Sequence, residues 1–253
     1  MKIPILISIP HGGTEIPQEV EGITVLTGKQ LLEDIDACTQ EIYTIDASAL
    51  VLQQYARTFV DVNRAPDDLP PLNRDGAVKT HTAKLEPIYR DSDIPGRELV
   101  GHLITRYHQP FHQRITEILQ SDSIKLALDC HSMSSLAPPI SRYHGEARPT
   151  VCLGNVQGRA APYEMVSVLA ACFREVFNLP AGEVTINRPF SGGYITRQYG
   201  NNPIPWIQVE INKKLYFAEP WLNPETLSVD SDRLDELNSF FRKTVTLFLE
   251  RVL

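Results

Sequence analysis

Two histidines and one glutamate follow short apolar runs of the kind that form buried strands: His11 behind Ile3–Ile9, His131 behind Ile124–Leu128, and Glu210 behind Trp206–Val209. In open α/β sheets, ligands collect at the carboxyl ends of the strands, so all three would face one site. A catalytic zinc takes three protein ligands from His and carboxylates and keeps one position for water. Two histidines therefore lack one acid. Glu15, four residues after His11, and Asp36, in the helical segment beyond it, compete for that place. Asp36 borders an apolar stripe, which is awkward for an unpaired carboxylate and natural for one on a metal. The plain alternative for Asp34 and Asp36 is a pair of solvated helix acids, and spacing alone leaves Asp36 and Glu15 both open.

The elements that must position these groups alternate between short apolar runs and amphipathic stretches, the pattern of a layered α/β fold. Thr27-Gly28-Lys29-Gln30 has the form of a capping box. Behind it Leu31, Ile35, Cys38, Ile42, Ile45 and Ala49 lie on one stripe, so the spacing predicts a long helix with Asp36 inside it. Val51-Leu52 and Thr58–Val62 read as further strands. Residues 66–96 hold Pro66, Pro70, Pro71, Pro87 and Pro95 and exclude a long regular element. Such a long loop in a compact domain is functional or disordered. Leu99, Val100, Leu103, Ile104 and Tyr107 predict a helix that Pro110 ends or kinks, with Phe111, Ile115, Ile118 and Leu119 continuing its stripe. Thr150–Leu153 and Val184–Ile186 add strands; Tyr163–Phe177 and Leu234–Val252 add helices. No repeat or linker divides the chain, so the expectation is a single domain over residues 1–253.

Composition narrows the function. The 253 residues are 42% hydrophobic and 22% charged, which is ordinary for a globular protein. A chain of this length buries roughly 75% of its unfolded surface and needs no staples. A net charge of -7 argues against nucleic acid, whose recognition needs clustered Lys and Arg. Cys38, Cys130, Cys152 and Cys172 form no Cys-x-x-Cys pair and read as reduced core residues. No apolar run approaches the roughly 20 residues of a membrane span. The opening run ends in His11-Gly12-Gly13 without a small-residue cleavage site, so a first strand and a cytoplasmic location are expected. A Gly-x-Ser-x-Gly elbow is absent, which argues against a serine hydrolase. Cys130 and His131 are adjacent on a strand and point to opposite faces, which places them badly for a nucleophile–base pair.

Ile9-Pro10-His11-Gly12-Gly13-Thr14 resembles the first motif of the N-formylglutamate amidohydrolase family. Asp34-Ile35-Asp36 with Tyr43, Arg57 with Asp61-Val62-Asn63-Arg64, Pro87–Arg90, Tyr107–His112 and Leu128–Ser132 are similar to its later motifs, in the same order. Pro189–Thr196 and Gln208-Val209-Glu210-Ile211-Asn212 close the set, so the resemblance runs from about residue 5 to residue 219. One departure is the absence of a His within residues 201–207. The family is distantly similar to zinc carboxypeptidases and to cell-wall amidases. The resemblance thus implies a three-layer α/β/α domain with a mixed central sheet, of the phosphorylase/hydrolase-like, zinc exopeptidase-like kind. It implies Zn2+ as cofactor and a small N-acyl amino acid as partner, in amino-acid metabolism such as histidine degradation. In the amidases the acid lies well beyond the first His, which favours Asp36 over Glu15 and gives His11, Asp36 and His131 as ligands.

Roles follow from the chemistry of amide hydrolysis. A bound zinc lowers the pKa of water toward about 7 and polarises the carbonyl. Glu210 is expected to take the water proton and pass it to the leaving amine; its bland alternative is an ion pair with Lys213 or Lys214. Arg64 offers a planar fork for a substrate carboxylate, with Asn63 beside it and Arg57 and Arg90 as further candidates. Gly192-Gly193 would let backbone approach the ligand, and Tyr194 would reach the scissile group. His108 and His112 share a helix face, but Pro110 between them makes a structural role the better reading. His81 lies in the irregular loop. Rival functions are a zinc peptidase or amidase with another substrate, and a non-catalytic module that binds an acidic metabolite.

Overall fold

The computed structural model describes residues 3–121 and 123–252. Its elements run β1 (Ile3–Ile9), α1 (Gln18–Glu21), α2 (Gly28–Asp34), α3 (Thr39–Tyr43), β2 (Ala47–Leu52) and α4 (Arg97–Leu103). A π turn (Ile104–His108) leads into α5 (Gln109–Ile118), followed by β3 (Leu126–Met133), β4 (Val151–Gly154) and α6 (Tyr163–Val176). The chain continues through β5 (Val184–Ile186), α7 (Tyr194–Tyr199), β6 (Trp206–Asn212) and α8 (Ser231–Val252). The strands form one sheet in the order β2-β1-β3-β6-β4-β5. β1 pairs in parallel with β2 and β3, and β3 with β6, whereas β4 runs antiparallel to β6. The expected mixed α/β sheet is therefore present.

Alternation along the strands assigns two jobs to two faces. Ile5, Ile7, Ile9, Leu128, Cys130 and Val209 are fully buried in a core that includes residues of α3, α6 and α8. Leu6, Ala127 and Trp206 point the other way, onto Phe111 and Ile115 of α5 and Ile195 of α7. That makes three layers. Two residues further along this second face come Ser8, Asp129 and Gln208, then His131 and Glu210, set side by side by the register Ser8↔Asp129, Asp129↔Gln208 and His131↔Glu210. The chain leaves β1 toward β2 on one side and finds β3 on the other, so these residues sit at a topological switch point, where such sheets bind ligands.

Several expectations need correction. The long helix is broken: α2 ends at Asp34, Ile35 is extended, and Cys38 adopts φ 62° before α3 starts. Asp36 lies in the break and not within a helix, its N–H donating to the His11 carbonyl at 3.0 Å. Ile45 precedes β2, and Ala49 lies in it, because pairing with β1 overrides the helical stripe. Thr58–Val62 forms turns instead of a strand, with Phe59 N–H bonded to Ala56 O and Asp61 N–H to Ala77 O. β3 and β6 run on to Met133 and Asn212, so His131 and Glu210 lie inside strands and not just beyond them. Pro110 does not stop its helix. It stands at the start of α5 after the π turn, where the helical ladder is already loosened.

Candidate metal centre

His11 leaves β1 through Pro10, and its loop is held against the end of β2. A Cβ at Gly13 would lie 2.3 Å from the Gln54 carbonyl oxygen, so only glycine allows this approach. Asp36 is delivered by the α2–α3 break, where its Oδ2 accepts from Ser132 N–H at 3.1 Å. His131 comes from β3, with its carbonyl bonded by the Tyr43 hydroxyl at 2.8 Å. The three side chains meet below the surface, all at 3% exposure or less. His11 Nδ1 and His131 Nδ1 are 3.1 Å apart, and they lie 3.4 and 3.3 Å from Asp36 Oδ2. Zinc bonds of about 2.0–2.1 Å at tetrahedral angles imply ligand separations of about 3.3 Å. The triangle has the size of a zinc face.

The outer nitrogens point at carboxylates. His11 Nε2 donates to Asp61 Oδ1 at 2.7 Å, and His131 Nε2 lies 3.2 Å from Asp129 Oδ2. Ring hydrogens on Nε2 would satisfy these carboxylates and turn both Nδ1 lone pairs toward Asp36, the arrangement by which proteins orient imidazole ligands. Asp129 is itself fixed by the Ser8 and Thr196 hydroxyls. Asp61 is held by Arg57 at 2.7 Å, and the buried Lys79 ammonium stands 3.7 Å from it and 2.9 Å from Asp75. Burial opposes ionisation of Asp36, yet its bonds to His11 and His131 hold it well below the usual carboxylate range. Burial would likewise strip the His131 proton, but Asp129 outweighs this and raises its pKa. On binding a metal the two imidazoles would give up any proton on Nδ1, leaving two neutral nitrogens and one anion, a donor set that suits a borderline cation such as zinc.

Glu210 stands beside His131 on β6. Burial pushes its carboxyl up to about 7, Asp36 adds to this, and His131 opposes it. Its Oε1 accepts from Gln208 Nε2 at 2.8 Å, while Gln208 Oε1 accepts from Gly193 N–H at 2.6 Å. Neither Lys213 nor Lys214 pairs with it: Lys213 donates to the Ile35 and Glu33 carbonyls, and Lys214 bridges to Glu183. The cradle and Glu210 open on one cavity of roughly 990 Å3.

The other expected residues divide. Asn63, Arg64, Arg57 and Tyr194 line the cavity. Asn63 Oδ1 accepts from Ile195 N–H at 2.8 Å, and its amide nitrogen fills the space where a Cβ on Gly193 would fall. Arg57 bonds Asp61 and lies 4.0 Å from Asp36, set against the ligands instead of reaching into the open cavity. The Arg64 fork is already filled, Nε by the Asp75 carbonyl and Nη2 by the Asp75 carboxylate at 2.6 Å. Arg90 is exposed, pairs with Asp93 and does not line the cavity. Neither does His81, nor any residue from 201 to 207. Glu15 is exposed and stands outside the ligand cluster. His108 and His112 donate to the carbonyls of Arg64 and Val62, which ties α5 to the turn carrying Asn63. Sequence reasoning missed the carboxylates Asp129 and Asp61 as histidine partners, although Asp129 is two residues from His131 on the same strand face.

The sequence model of a family described as N-formylglutamate amidohydrolase matches residues 3–217. The chain is 26% identical over 230 residues to the N-formylglutamate deformylase of Pseudomonas putida, covering 86% of this chain and 83% of that protein. It is 28% identical over 237 residues to the N-formylglutamate deformylase of Pseudomonas aeruginosa, covering 86% and 84%. The crystal structure of N-formylglutamate amidohydrolase from Ralstonia eutropha JMP134 is similar in fold, with a TM-score of 0.79 at 20% identity over 99% of this chain and 93% of that one.

Proposed function

Since the chain belongs to the N-formylglutamate amidohydrolase family, we propose that it hydrolyses the amide of a small N-formyl acidic amino acid, N-formylglutamate first among them. His11, Asp36 and His131 would hold zinc. The observation that carries this reading is their triangle of Nδ1, Nδ1 and Oδ2 atoms at 3.1–3.4 Å. Bound there, the ion would lower the pKa of water and polarise the formyl carbonyl.

The chain's own residues supply the rest. Gln208 holds Glu210 Oε1, which leaves Oε2 to receive the proton of the attacking water. The water oxygen adds to the formyl carbon, the carbon–nitrogen bond breaks, and Glu210 returns the proton to the departing amine. Formate and the free amino acid result. A carboxyl raised toward neutrality by burial is suited to accept a proton and then give it back. Asn63 and Tyr194 would line the approach to the scissile group, with Arg57 behind them against Asp61 and Asp36. A helix long and apolar enough to cross a membrane is absent among the described residues.

The test is metal analysis followed by a substrate panel. Purified protein should hold about one zinc per chain, and a chelator should abolish hydrolysis that added zinc restores. N-formylglutamate should be cleaved faster than its N-acetyl and N-succinyl counterparts. Full activity without metal would overturn the ligand set; a stronger response to the larger acyl groups would favour the second reading, an amidase of other N-acyl compounds. The cavity's volume, at the upper end of the usual range of about 300–1,000 Å3 for small-molecule sites, is what keeps that reading in play.

A further inference from the structure

An acidic amino acid brings carboxylates into the cavity, and most of the cavity's cations are already neutralised. Arg57 and Arg64 pair with Asp61 and Asp75, Lys79 with Asp75, and Lys84 with Glu33. Lys213 caps backbone carbonyls. Arg142 and Arg197 stand exposed at the rim. Arg148 differs from all of them. It is partly buried, it lines the cavity, and among the described residues no acid lies within ion-pair distance of it, Glu210 acting on it from further away. The Ser134 hydroxyl accepts from Nη1 at 3.2 Å, while Nε is buried without a partner. Arg57 Nε is orphaned as well, but its guanidinium is paired with Asp61. Arg148 combines an unsatisfied donor with a charge that no acid among the described residues neutralises, which marks a place for an anionic acceptor.

The group is also held in advance. Its Cζ lies over the Phe190 ring, 4.8 Å from the centroid. Its backbone N–H donates to the Ser135 carbonyl, and its own carbonyl accepts from the Asn212 side chain at the end of β6. A guanidinium with little freedom left loses little more on binding an anion, and its fork matches a carboxylate in two hydrogen bonds.

We infer that Arg148 is the residue that recognises a carboxylate of the substrate and so sets the preference for acidic amino acids. This rests on the proposed hydrolysis of N-formyl amino acids, and it assigns to Arg148 the role that the filled fork of Arg64 does not perform. Although its charge also favours the ionised form of Glu210, the role assigned to Arg148 is in binding. Its loss should therefore raise KM for the carboxylated substrate more than it lowers kcat.

The experiment compares wild type with Arg148→Gln and Arg148→Lys on three substrates: N-formylglutamate, N-formylglutamine and the α-amide of N-formylglutamate. Zinc content and thermal melting are measured on each protein to establish that it is folded and loaded. Wild type should prefer N-formylglutamate over at least one amide. In Arg148→Gln that preference should fall about 10–100-fold, the range of a charge-assisted hydrogen bond, with Arg148→Lys falling between. The amide against which discrimination is lost identifies the carboxylate that Arg148 holds. A folded, zinc-loaded Arg148→Gln that keeps the wild-type preference against both amides overturns the assignment while leaving the hydrolase reading intact. An equal fall of kcat on all three substrates with their KM ratios unchanged also overturns it, because Arg148 would then act only through Glu210. A wild type that hydrolyses all three alike removes the acidic-substrate reading itself, and this role with it.

Discussion

The two imidazoles that meet at Asp36 each commit Nε2 to a carboxylate, so each presents an Nδ1 lone pair to the other at 3.1 Å. Two ring nitrogens and a carboxylate oxygen this close repel one another unless a proton or a metal ion lies among them, and a metal can take the proton's place. Asp36→Ala should therefore weaken zinc binding severely, whereas Glu15→Ala, at an exposed position outside the cluster, should leave it within a few-fold; equilibrium dialysis against a chelator decides, and the reverse ranking would move the site. In the same series Glu210→Gln should keep its zinc and lose about 10²–10⁴ in kcat, the usual worth of a positioned base. Zinc loss in that variant would make Glu210 a ligand. At this scale His11, His131 and Glu210 were legible because each follows an apolar run. Asp75, which fills the Arg64 fork, was not: it lies in the proline-rich stretch, where no periodicity tells which way a side chain faces.

Elements were read well where one period governs a whole segment, as in α6 and α8, and poorly where tertiary bonds interrupt it. The stripe from Leu31 to Ala49 is real as a list of apolar residues, since Ile35, Ile42 and Ile45 are all buried. Yet Asp36 bonding to His11 and the pairing of β2 with β1 divide it among two helices and a strand. Such a break depends on partners distant in sequence, which a local pattern does not contain. Two glycines separate propensity from packing. Gly101 lies in α4 with open space where a Cβ would go, so Gly101→Ala should stabilise by about 0.5–1 kcal/mol without changing turnover. Gly13→Ala would drive a Cβ into the Gln54 carbonyl; it should displace the His11 loop, lower the melting temperature and weaken zinc. Denaturant unfolding of both variants checks the contrast, and equal stability of the two would refute it.

Over the whole molecule, Lys79 and Arg64 join the long loop to the site through Asp75. Burial works against ionisation of Asp75, but these cations hold its carboxyl well below its ordinary value near 4. The unfolded chain then takes up a proton there before the folded one does, so this stability is full above about pH 4 and declines as the pH falls further. Melting curves between pH 6 and pH 3 should drop more steeply for wild type than for Asp75→Asn, and parallel curves would exclude the effect. The mixed sheet and its layers were legible as an alternation of runs, but the strand order was not, because pairing partners are set by distant packing. That order has a consequence for synthesis. β4 and β5 are made before β6, yet only β6 ties them to β3. A ribosome that has released residues up to Ile186 has produced two separate sheet fragments, each with an open edge inviting pairing with another chain. The strand that joins them also carries Glu210, so the nascent protein joins its two sheet fragments and brings the proposed base to the cavity in a single event.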